Sequence, residues 1–380
     1  MLKNLSTALV TLGLVSMTAQ AHSPPPNAIP LNIPGTYTLP APPPDFDPEK
    51  ASPAELEAFG LPPMPDKSAN PLAHSHWLNV VSMPRITNPV LEKTNVFHLP
   101  HHAAPAGPLL NGEQQRVADP AAGSNTAASN GSYNWSGYAI YNPAGPFRAE
   151  AVAGSYVVPV ARNPIGECPN HPLNVWRYSS YWVGIDGFNN NALFQNGVEA
   201  DRYNDCTTKT QYYAAWIEWI PGPEYRVTNL TVAAGDYIYI QNWLTTPTTG
   251  CFFWANESEN WSSSICTSAA ALGGNAIAGT SVEWITERPY TGYGTTGFAP
   301  LTNYVTAPWW QSYAWNYTAS SPTYNYPGNA PSGTPYLVYA VDDNGTTLIS
   351  YPYLTGKDAT FFYDYNTAYC TPGATCTPRY

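Results

Sequence analysis

A glutamate lies in the middle of an apolar, strand-like segment, GTSVEWITERPYTG, which spans residues 279–292. Val282 and Trp284 flank this glutamate, Glu283, and the first basic residue after it is Arg288. Burying an unpaired charge is costly, so a carboxylate in such surroundings is paired, protonated or used in catalysis. Glu283 is therefore the first candidate for a reacting group.

Three further aromatic segments carry carboxylates or amides. Each has a structural alternative, because indoles fill the cores of β-proteins and an Asp-Gly pair makes a good turn. The candidates are Asn134, Trp135 and Ser136 in YNWSGYAIY, Trp182, Asp186, Gln195, Glu199 and Asp201 in SYWVGIDGFNNNALFQNGVEAD, and Trp216, Glu218 and Trp219 in YYAAWIEWIPGPEY.

The scarcity of basic residues excludes several kinds of chemistry. The formal net charge is −11, and His171 is the only histidine after residue 102. It lies in the proline-flanked segment CPNHPLN, which favours a surface loop over a Ser-His-Asp or Cys-His site. One imidazole cannot build a histidine-rich metal site, and no basic patch favours nucleic acid. We expect no cofactor, no metal and no nucleic-acid partner, and carboxylate chemistry at low pH is favoured.

The first residues predict export. MLKNLSTALVTLGLVSMTAQA combines Lys3, an apolar run and the small-residue pattern Ala19-Gln20-Ala21, so residues 1–21 are predicted to be a signal peptide. No later run is long and apolar enough to span a bilayer. We expect a secreted, soluble protein, and nothing indicates more than a monomer.

Residues 22–127 differ in composition from the rest and are predicted to form a largely irregular prosegment. Residues 22–124 contain 21 of the 40 prolines, six of the seven histidines and no cysteine. SPAELEAFG predicts one short helix, with Ser52 as N-cap, Pro53 at the first position, Glu55 completing a capping box and Gly60 as the stop. Elsewhere the proline spacing argues against long helices. A disordered linker is the alternative to an inhibitory propeptide.

Residues 128–380 predict one large all-β domain. Short segments rich in Val, Ile, Thr, Tyr and Trp alternate with Gly, Pro, Asn and Asp clusters, which favours an antiparallel sandwich. An even number of cysteines in an exported chain favours disulfides. Proximity favours pairing Cys251 with Cys266 and Cys370 with Cys376, which leaves Cys168 with Cys206.

Seven colinear segments resemble the glutamic peptidases of the eqolisin family: NWSGYAI, VAGSYVVP, YWVGIDGF, FQNGVE, AAWIEWIP, GDYIYI and SVEWITERP. The resemblance implies a secreted, pepstatin-insensitive acid endopeptidase made as a zymogen, with protein or peptide substrates and its own propeptide as inhibitor. It also implies a sandwich of two seven-stranded antiparallel sheets with a groove across one face.

The resemblance assigns the catalytic pair to Gln195 and Glu283. Supporting roles fall on Trp135, Trp182, Asp186 and Glu218, and Glu199 stands where the family usually has aspartate. Glutamate can act on water as base and on the leaving amine as acid, and a glutamine amide donates to an oxyanion without titrating in acid.

A carbohydrate-binding or glycoside-hydrolysing sandwich is the main alternative. Paired carboxylates on aromatic strands also suit sugars, and a retaining glycosidase needs two carboxyl groups about 5 Å apart. Glu218 and Glu283 would be that pair. Such an enzyme would not depend on Gln195.

The prosegment histidines suggest a pH trigger. Residues 22–124 hold five basic and nine acidic residues, together with six histidines that include His98, His101 and His102. With ordinary pKa values near ~6.5, these histidines would become positive as the pH falls towards about 5. The hypothesis is that this change helps to release the prosegment, and the alternative is that they are loop residues without a role.

Overall fold

The computed structural model describes residues 24–104, 128–142, 149–163, 175–204, 210–345, 347–358 and 360–364. Short strands dominate these ranges and the few helices are short. The chain is therefore all-β, as its alternation of β-branched and aromatic segments with turn residues predicts. Within these ranges no helix is long and apolar enough to cross a membrane.

The strands and helices follow one another in a simple order. The early elements are β1 (Ile29–Pro30), β2 (Tyr37–Thr38), α1 (Pro53–Ala58), α2 (Pro71–Val81), β3 (Arg85–Ile86) and β4 (Leu91–Lys93). The next are β5 (Ala128–Ser132), β6 (Trp135–Tyr141), β7 (Ala151–Val157), β8 (Val175–Arg177), β9 (Ser180–Ile185), β10 (Leu193–Asn204), β11 (Gln211–Ile220), β12 (Tyr225–Val227), β13 (Tyr237–Thr246) and β14 (Thr249–Asn256). The last are β15 (Trp261–Ser268), α3 (Ala269–Leu272), β16 (Ser281–Glu287), β17 (Tyr290–Tyr293), β18 (Gly297–Phe298), β19 (Thr306–Trp315), β20 (Tyr324–Asn325), β21 (Thr334–Val341), β22 (Leu348–Leu354) and β23 (Thr360–Asp364).

Two antiparallel layers result from the strand pairing. We call the first the site sheet, with the order β12-β11-β10-β9-β16-β6-β21. The second is the outer sheet, with the order β15-β14-β13-β7-β19-β23-β22. Strand β21 also pairs with β22, so hydrogen bonds join 21 strands into one network. The sandwich-like antiparallel fold is as expected, but two separate sheets of seven are not confirmed.

The main core lies between the two layers. Phe194 and Trp284 of the site sheet share one buried cluster with Phe252 and Trp309 of the outer sheet. The Trp284 indole also donates across the gap to the Ala153 carbonyl, at 2.8 Å. Full burial of such a ring stabilises the fold by about 1.5–3 kcal/mol. Because strand residues alternate between faces, the neighbours of these core residues point to the other side of the site sheet.

Helix α1 forms where the capping pattern predicts it. The Ser52 hydroxyl accepts from the backbone N–H of Glu55, and the Glu55 carboxylate accepts in return from the Ser52 N–H. Pro53 occupies the first turn, where its missing N–H costs nothing. Gly60 has φ +59°, the left-handed conformation that ends the helix.

Helix α2 corrects the expectation that prolines exclude any long helix in the prosegment. It runs for 11 residues because Pro71 sits at its N-terminus, where it initiates a helix instead of breaking one. The Asn70 side chain caps it by accepting from the Ala73 N–H. Trp77 is fully buried, in a cluster with Tyr239 of the outer sheet. The helix thus covers the outside of the sandwich.

The described part of the predicted prosegment wraps around both sheets. Strand β3 adds to β15 at the edge of the outer sheet, and β4 then adds to β12 at the edge of the site sheet. Residues 94–104 continue over the open face of the site sheet, with backbone hydrogen bonds to Glu224, Tyr290, Gly187 and Gly131. We call residues 94–104 the strap.

One predicted disulfide is present. Cys251 and Cys266 face each other across β14 and β15 and are bonded, which confirms the pairing expected from their proximity. The predictions that fall outside the described residues are the signal peptide, the prosegment boundary, the surface position of His171, and the pairing of Cys168, Cys206, Cys370 and Cys376.

Candidate active site

Gln195 and Glu218 form a hydrogen-bonded pair on the open face of the site sheet. The register of β10 and β11 places them directly opposite each other, and both are fully buried. Gln195 Nε2 donates to Glu218 Oε2 at 3.0 Å and to the carbonyl oxygen of His98, in the strap, at 2.7 Å. Because a carbonyl only accepts, the Gln195 amide must present its nitrogen to the strap.

Glu287 lies at the end of β16 and faces the same strap residue. Its Oε2 atom accepts from the Trp182 indole at 2.8 Å and contacts His98 Nδ1 at 3.1 Å. The other oxygen accepts from the Asn134 amide at 3.1 Å. Burial raises the pKa of Glu287, and these donors together with the His98 charge oppose the rise.

The His98 side chain fills the space between the carboxylates. Its ring stacks on Trp216, with centroids 3.8 Å apart and planes 11° apart, and its Nε2 atom lies 2.9 Å from Glu224 Oε2. Burial lowers the pKa of His98, but the hydrogen bonds to Glu224 and Glu287 outweigh it, so the pKa stands well above its ordinary value. Both ring nitrogens face carboxylate oxygens, which favours the imidazolium form.

A buried ion-pair cluster lies behind His98. The Arg226 guanidinium is 2.6 Å from Glu199, 3.3 Å from Glu224 and 3.7 Å from Asp201. Burial and the Glu224 charge raise the pKa of Glu199 to about 7 against the pull of Arg226. The site is therefore acidic and only partly neutralised by its own arginine.

Three groups here have the donor types of a metal site. One ligand atom each from His98, Glu199 and Glu224 lies within 4.8 Å of the others. The Arg226 guanidinium already contacts both glutamates, and the His98 ring is held as a cation, so the chain itself supplies the positive charge. These residues fit an ion-pair cluster better than a cation site.

The two predicted tryptophans line the same site. The Trp135 indole donates to the Leu99 carbonyl of the strap at 3.0 Å, and the Trp182 indole holds Glu287. Their rings meet edge to face, 5.0 Å apart. One indole therefore contacts the main chain of whatever occupies the groove, and the other contacts the carboxylate.

Asp186 has a different position from the other predicted residues. Its carboxylate accepts from the backbone N–H groups of Ala278, Gly279 and Thr280, at 2.6, 3.2 and 2.8 Å. This fixes the loop before β16. Asp186 itself has φ +69°, in the left-handed region, as the predicted Asp-Gly turn requires.

Glu283 is on the same sheet face but is not joined to Gln195. Across the strands, Gln195 stands opposite Gly184, which in turn stands opposite Glu283. Neither oxygen of Glu283 makes a hydrogen bond of normal geometry to the described residues. Burial raises the pKa of Glu283 well above its usual range, the Asp186 charge adds to the rise and the Ser281 hydroxyl opposes it. Burial without such donors favours the protonated form of this side chain.

The structure brings together some predicted residues with others that the sequence did not indicate. Gln195, Glu218, Glu199, Trp135 and Trp182 surround the strap as one site. Glu283 flanks this site across Gly184 without a hydrogen bond to it, and Asp186 holds the loop before β16. The members that the sequence did not indicate are Glu224, Arg226 and Glu287, together with His98 from the strap, whereas Asn134 was already a candidate. The available signal was the four-residue spacing of Glu283 and Glu287, which puts both on one face of β16.

Comparison with known proteins finds one family and several similar proteins. The pattern of the Peptidase A4 family matches residues 133–350. Aspergillopepsin-2 of Aspergillus niger is 32% identical over 122 residues, which is 32% of this chain and 41% of that relative. A scytalido-glutamic peptidase structure with a transition state analog inhibitor aligns over 61% of this chain and 98% of its own, at 21% identity and a TM-score of 0.45. Aspergilloglutamic peptidase from Aspergillus niger aligns over 50% and 99%, at 22% identity and 0.40.

The family match covers more than half of the chain and includes both layers of the sandwich and the site from Asn134 to Glu287. The chain therefore belongs to the Peptidase A4 family, the eqolisin peptidases. The alignment with aspergillopepsin-2 spans less than half the length of that relative.

Proposed function

We propose that the chain is the zymogen of a secreted acid endopeptidase of the glutamic type, with Gln195 and Glu287 as its reacting pair. One observation carries the proposal. The Gln195 amide and the Glu287 carboxylate reach the same residue of an extended peptide, His98, from two sides. The assignment of the glutamate to Glu283, which the family resemblance gives, stays a prediction that the variants below test.

The geometry supports hydrolysis by an activated water. Once the imidazole leaves, water can lie between Glu287 and the peptide carbonyl. Glu287 takes a proton from this water as its oxygen attacks the carbonyl carbon, and Gln195 donates to the oxyanion that forms. Glu287 then gives the proton to the amide nitrogen, and the C–N bond breaks to release the amine.

Neighbouring groups set up both partners for this role. Glu287 must start ionised, and the Trp182 indole and the Asn134 amide both stabilise its carboxylate form. Glu218 accepts from Gln195 Nε2 and so keeps the amide nitrogen directed at the groove. Neither partner of the reaction needs a histidine, which would be protonated in acid and unable to act as base.

We propose that the prosegment inhibits the enzyme by occupying this site. The strap supplies a carbonyl to Gln195 and an imidazolium to Glu287, so the base is engaged and water is displaced. Acid conversion would remove residues up to about 127 and open the groove. The protein is then its own inhibitor until it reaches an acidic medium.

A retaining glycosidase is less well supported. Its candidate pair, Glu218 and Glu283, belongs to β11 and β16, which are separated by β10 and β9. At about 4.8 Å per strand, the two backbones are about 14 Å apart. That separation does not suit the pair about 5 Å apart that such an enzyme needs.

The test is digestion of a denatured protein by the acid-converted chain at about pH 4, with pepstatin present. We expect Gln195→Ala to lower kcat by roughly 10²–10³-fold, the typical loss of one oxyanion donor. Glu287→Gln should abolish turnover, and Glu283→Gln should retain it. Loss of activity in Glu283→Gln with retention in Glu287→Gln would assign the base to Glu283. Full activity of Gln195→Ala would overturn the pair.

A further inference from the structure

The strap is held in the groove as a substrate would be, through its main chain. Phe97 exchanges both backbone hydrogen bonds with Tyr290, at 3.0 and 2.8 Å. The His98 N–H donates to Glu218 at 2.8 Å, and the Leu99 carbonyl accepts from the Trp135 indole. Main-chain recognition of an extended segment does not depend on its sequence, so other peptides can adopt the same path.

The position of Gln195 identifies which bond of such a peptide would be cut. Its amide donates to the His98 carbonyl oxygen, the atom that would become the oxyanion. The bond that corresponds to the scissile one is therefore His98–Leu99, and His98 occupies the acyl side. Its side-chain pocket is the pocket for the residue that precedes the cleaved bond.

The pocket around His98 is acidic and closed. Trp216 forms one flat wall, and Glu224 lies at the far end of the ring, with Glu199 3.9 Å from Nε2. Arg226 contacts Glu199 and Glu224 from behind, and Glu224 Oε2 remains directed at the His98 ring. A neutral aliphatic side chain here would leave Glu224 Oε2 without its donor, and unpaired buried carboxylates are costly.

The two ring nitrogens of His98 have different partners. Nδ1, close to the main chain, contacts Glu287, whereas Nε2, further out, contacts Glu224. A lysine carries all its N–H donors on one atom, Nζ, at the end of the side chain. It would place that atom beside Glu224 and leave the position beside Glu287 to water. A histidine fills both positions, so it binds but blocks the base.

We propose that this pocket selects a lysine-type basic side chain on the acyl side of the cleaved bond, and that His98 makes the strap an inhibitor because it fills the pocket and also engages Glu287. The inference rests on the proposed peptidase function. It predicts that the strap becomes a substrate when the donor beside Glu287 is removed and the donor beside Glu224 is kept.

The first experiment uses the full chain with His98→Lys. We expect cleavage between residues 98 and 99 during acid conversion, seen by mass spectrometry of the released fragments. The unsubstituted chain and a His98→Met chain should show less of that cut, by roughly tenfold or more. Conversion of the His98→Lys chain without a cut after position 98 would overturn the proposal.

A second experiment measures selectivity in the acid-converted enzyme. Matched peptides with Lys or Met before a Leu-Pro pair should differ in kcat/KM by roughly tenfold or more in favour of Lys. Glu224→Gln should bring this ratio close to one, whereas Glu259→Gln, an exposed carboxylate elsewhere, should keep it. A ratio near one in the unsubstituted enzyme, or an unchanged ratio in Glu224→Gln, would overturn the pocket assignment. Absence of any protein digestion would instead refute the peptidase function itself.

Discussion

At the scale of single residues, the difference between Glu283 and Glu287 comes from their neighbours. Both glutamates are fully buried on one face of β16. Of the two, Glu287 has indole and amide donors within hydrogen-bond reach, from Trp182 and Asn134. Donors to a carboxylate favour its ionised form, whereas burial without them favours the neutral acid. Of the two, Glu287 is therefore the better candidate for the base, and Glu283 suits a neutral buried role.

Replacing Trp182 tests how Glu287 is tuned. The Trp182 indole lowers the pKa of Glu287, so Trp182→Phe should raise it and move the acid limb of the kcat/KM profile to higher pH. A hydrogen bond to a charged group corresponds to a displacement of about one pH unit or more. Trp135→Phe is the matched control, since its indole contacts the peptide main chain and its loss should raise KM instead. An acid limb that does not move in Trp182→Phe would contradict this role.

At the scale of elements, the strap carries two buried histidines, His98 and His101, whose protonation links its binding to pH. His98 and His101 do not titrate near the ordinary histidine value. His98 is held as a cation between Glu224 and Glu287. Burial beside Trp135 and Phe188 lowers the pKa of His101 to about 4. The hypothesis that the prosegment histidines all become charged together near about pH 6.5 therefore needs correction for these two.

The two histidines should act in opposite directions on release. His98 has a raised pKa when the strap is bound. Its contribution to the free energy that holds the strap is therefore fully present below about pH 6.5 and is lost only as the pH rises further. His101 has a lowered pKa when the strap is bound. Its contribution to the free energy that holds the strap is therefore present above about pH 6.5 and is lost as the pH falls towards 4. Of these two residues, it is therefore the protonation of His101 that weakens the strap in acid.

Conversion of the zymogen at a series of pH values tests this division. His98→Gln should convert at a higher pH than the unsubstituted chain, because the strap loses its cation. His101→Phe should convert at a lower pH, because an apolar ring keeps the stacking and cannot be charged. Asp45→Asn, at an exposed position far along the chain from the strap, is the control and should leave the conversion pH unchanged. A shift of His101→Phe to higher pH would contradict the assignment.

At the scale of the whole molecule, the site sheet buries many acids. Burial raises the pKa of several of them above the usual range, because the charged form is poorly solvated inside the sandwich. The groups with raised pKa are Glu199, Asp201, Glu218, Glu283 and Glu287. The folded chain thus holds protons that the unfolded chain releases.

This linkage predicts greater stability in acid than at neutral pH. Each group with a raised pKa adds to the free energy of unfolding. This contribution is complete below about pH 4.5 and is lost as the pH rises through the pKa of the folded state, which for Glu199 is about 7. Urea unfolding of the full chain carrying Gln195→Ala, which the proposed mechanism leaves unable to convert itself, should therefore show a higher midpoint at about pH 4 than at about pH 8. Glu283→Gln, which replaces a neutral acid with a neutral amide, should reduce the difference. A midpoint that is higher at the alkaline end would contradict this account.

Several features follow from local sequence alone. The capping box of α1 depends on Ser52 and Glu55, three residues apart, and the Cys251–Cys266 disulfide joins cysteines close enough to face each other across one hairpin. The all-β class follows from the turn-punctuated aromatic segments. Such features involve neighbours in the chain, so their physics is contained in a short window of sequence.

Tertiary structure decided the site. Strand periodicity places Glu283 and Glu287 on one face and cannot rank them, because the donors that distinguish them come from β9 and from the segment before β6. His98 is 97 residues from Gln195 in sequence, and its imidazolium acquires carboxylate partners only when the strap crosses the sheet. The sequence determined which elements and which reactive groups this chain has. The packing of distant strands decided which of those groups meet, because charge and hydrogen bonding depend on proximity in space.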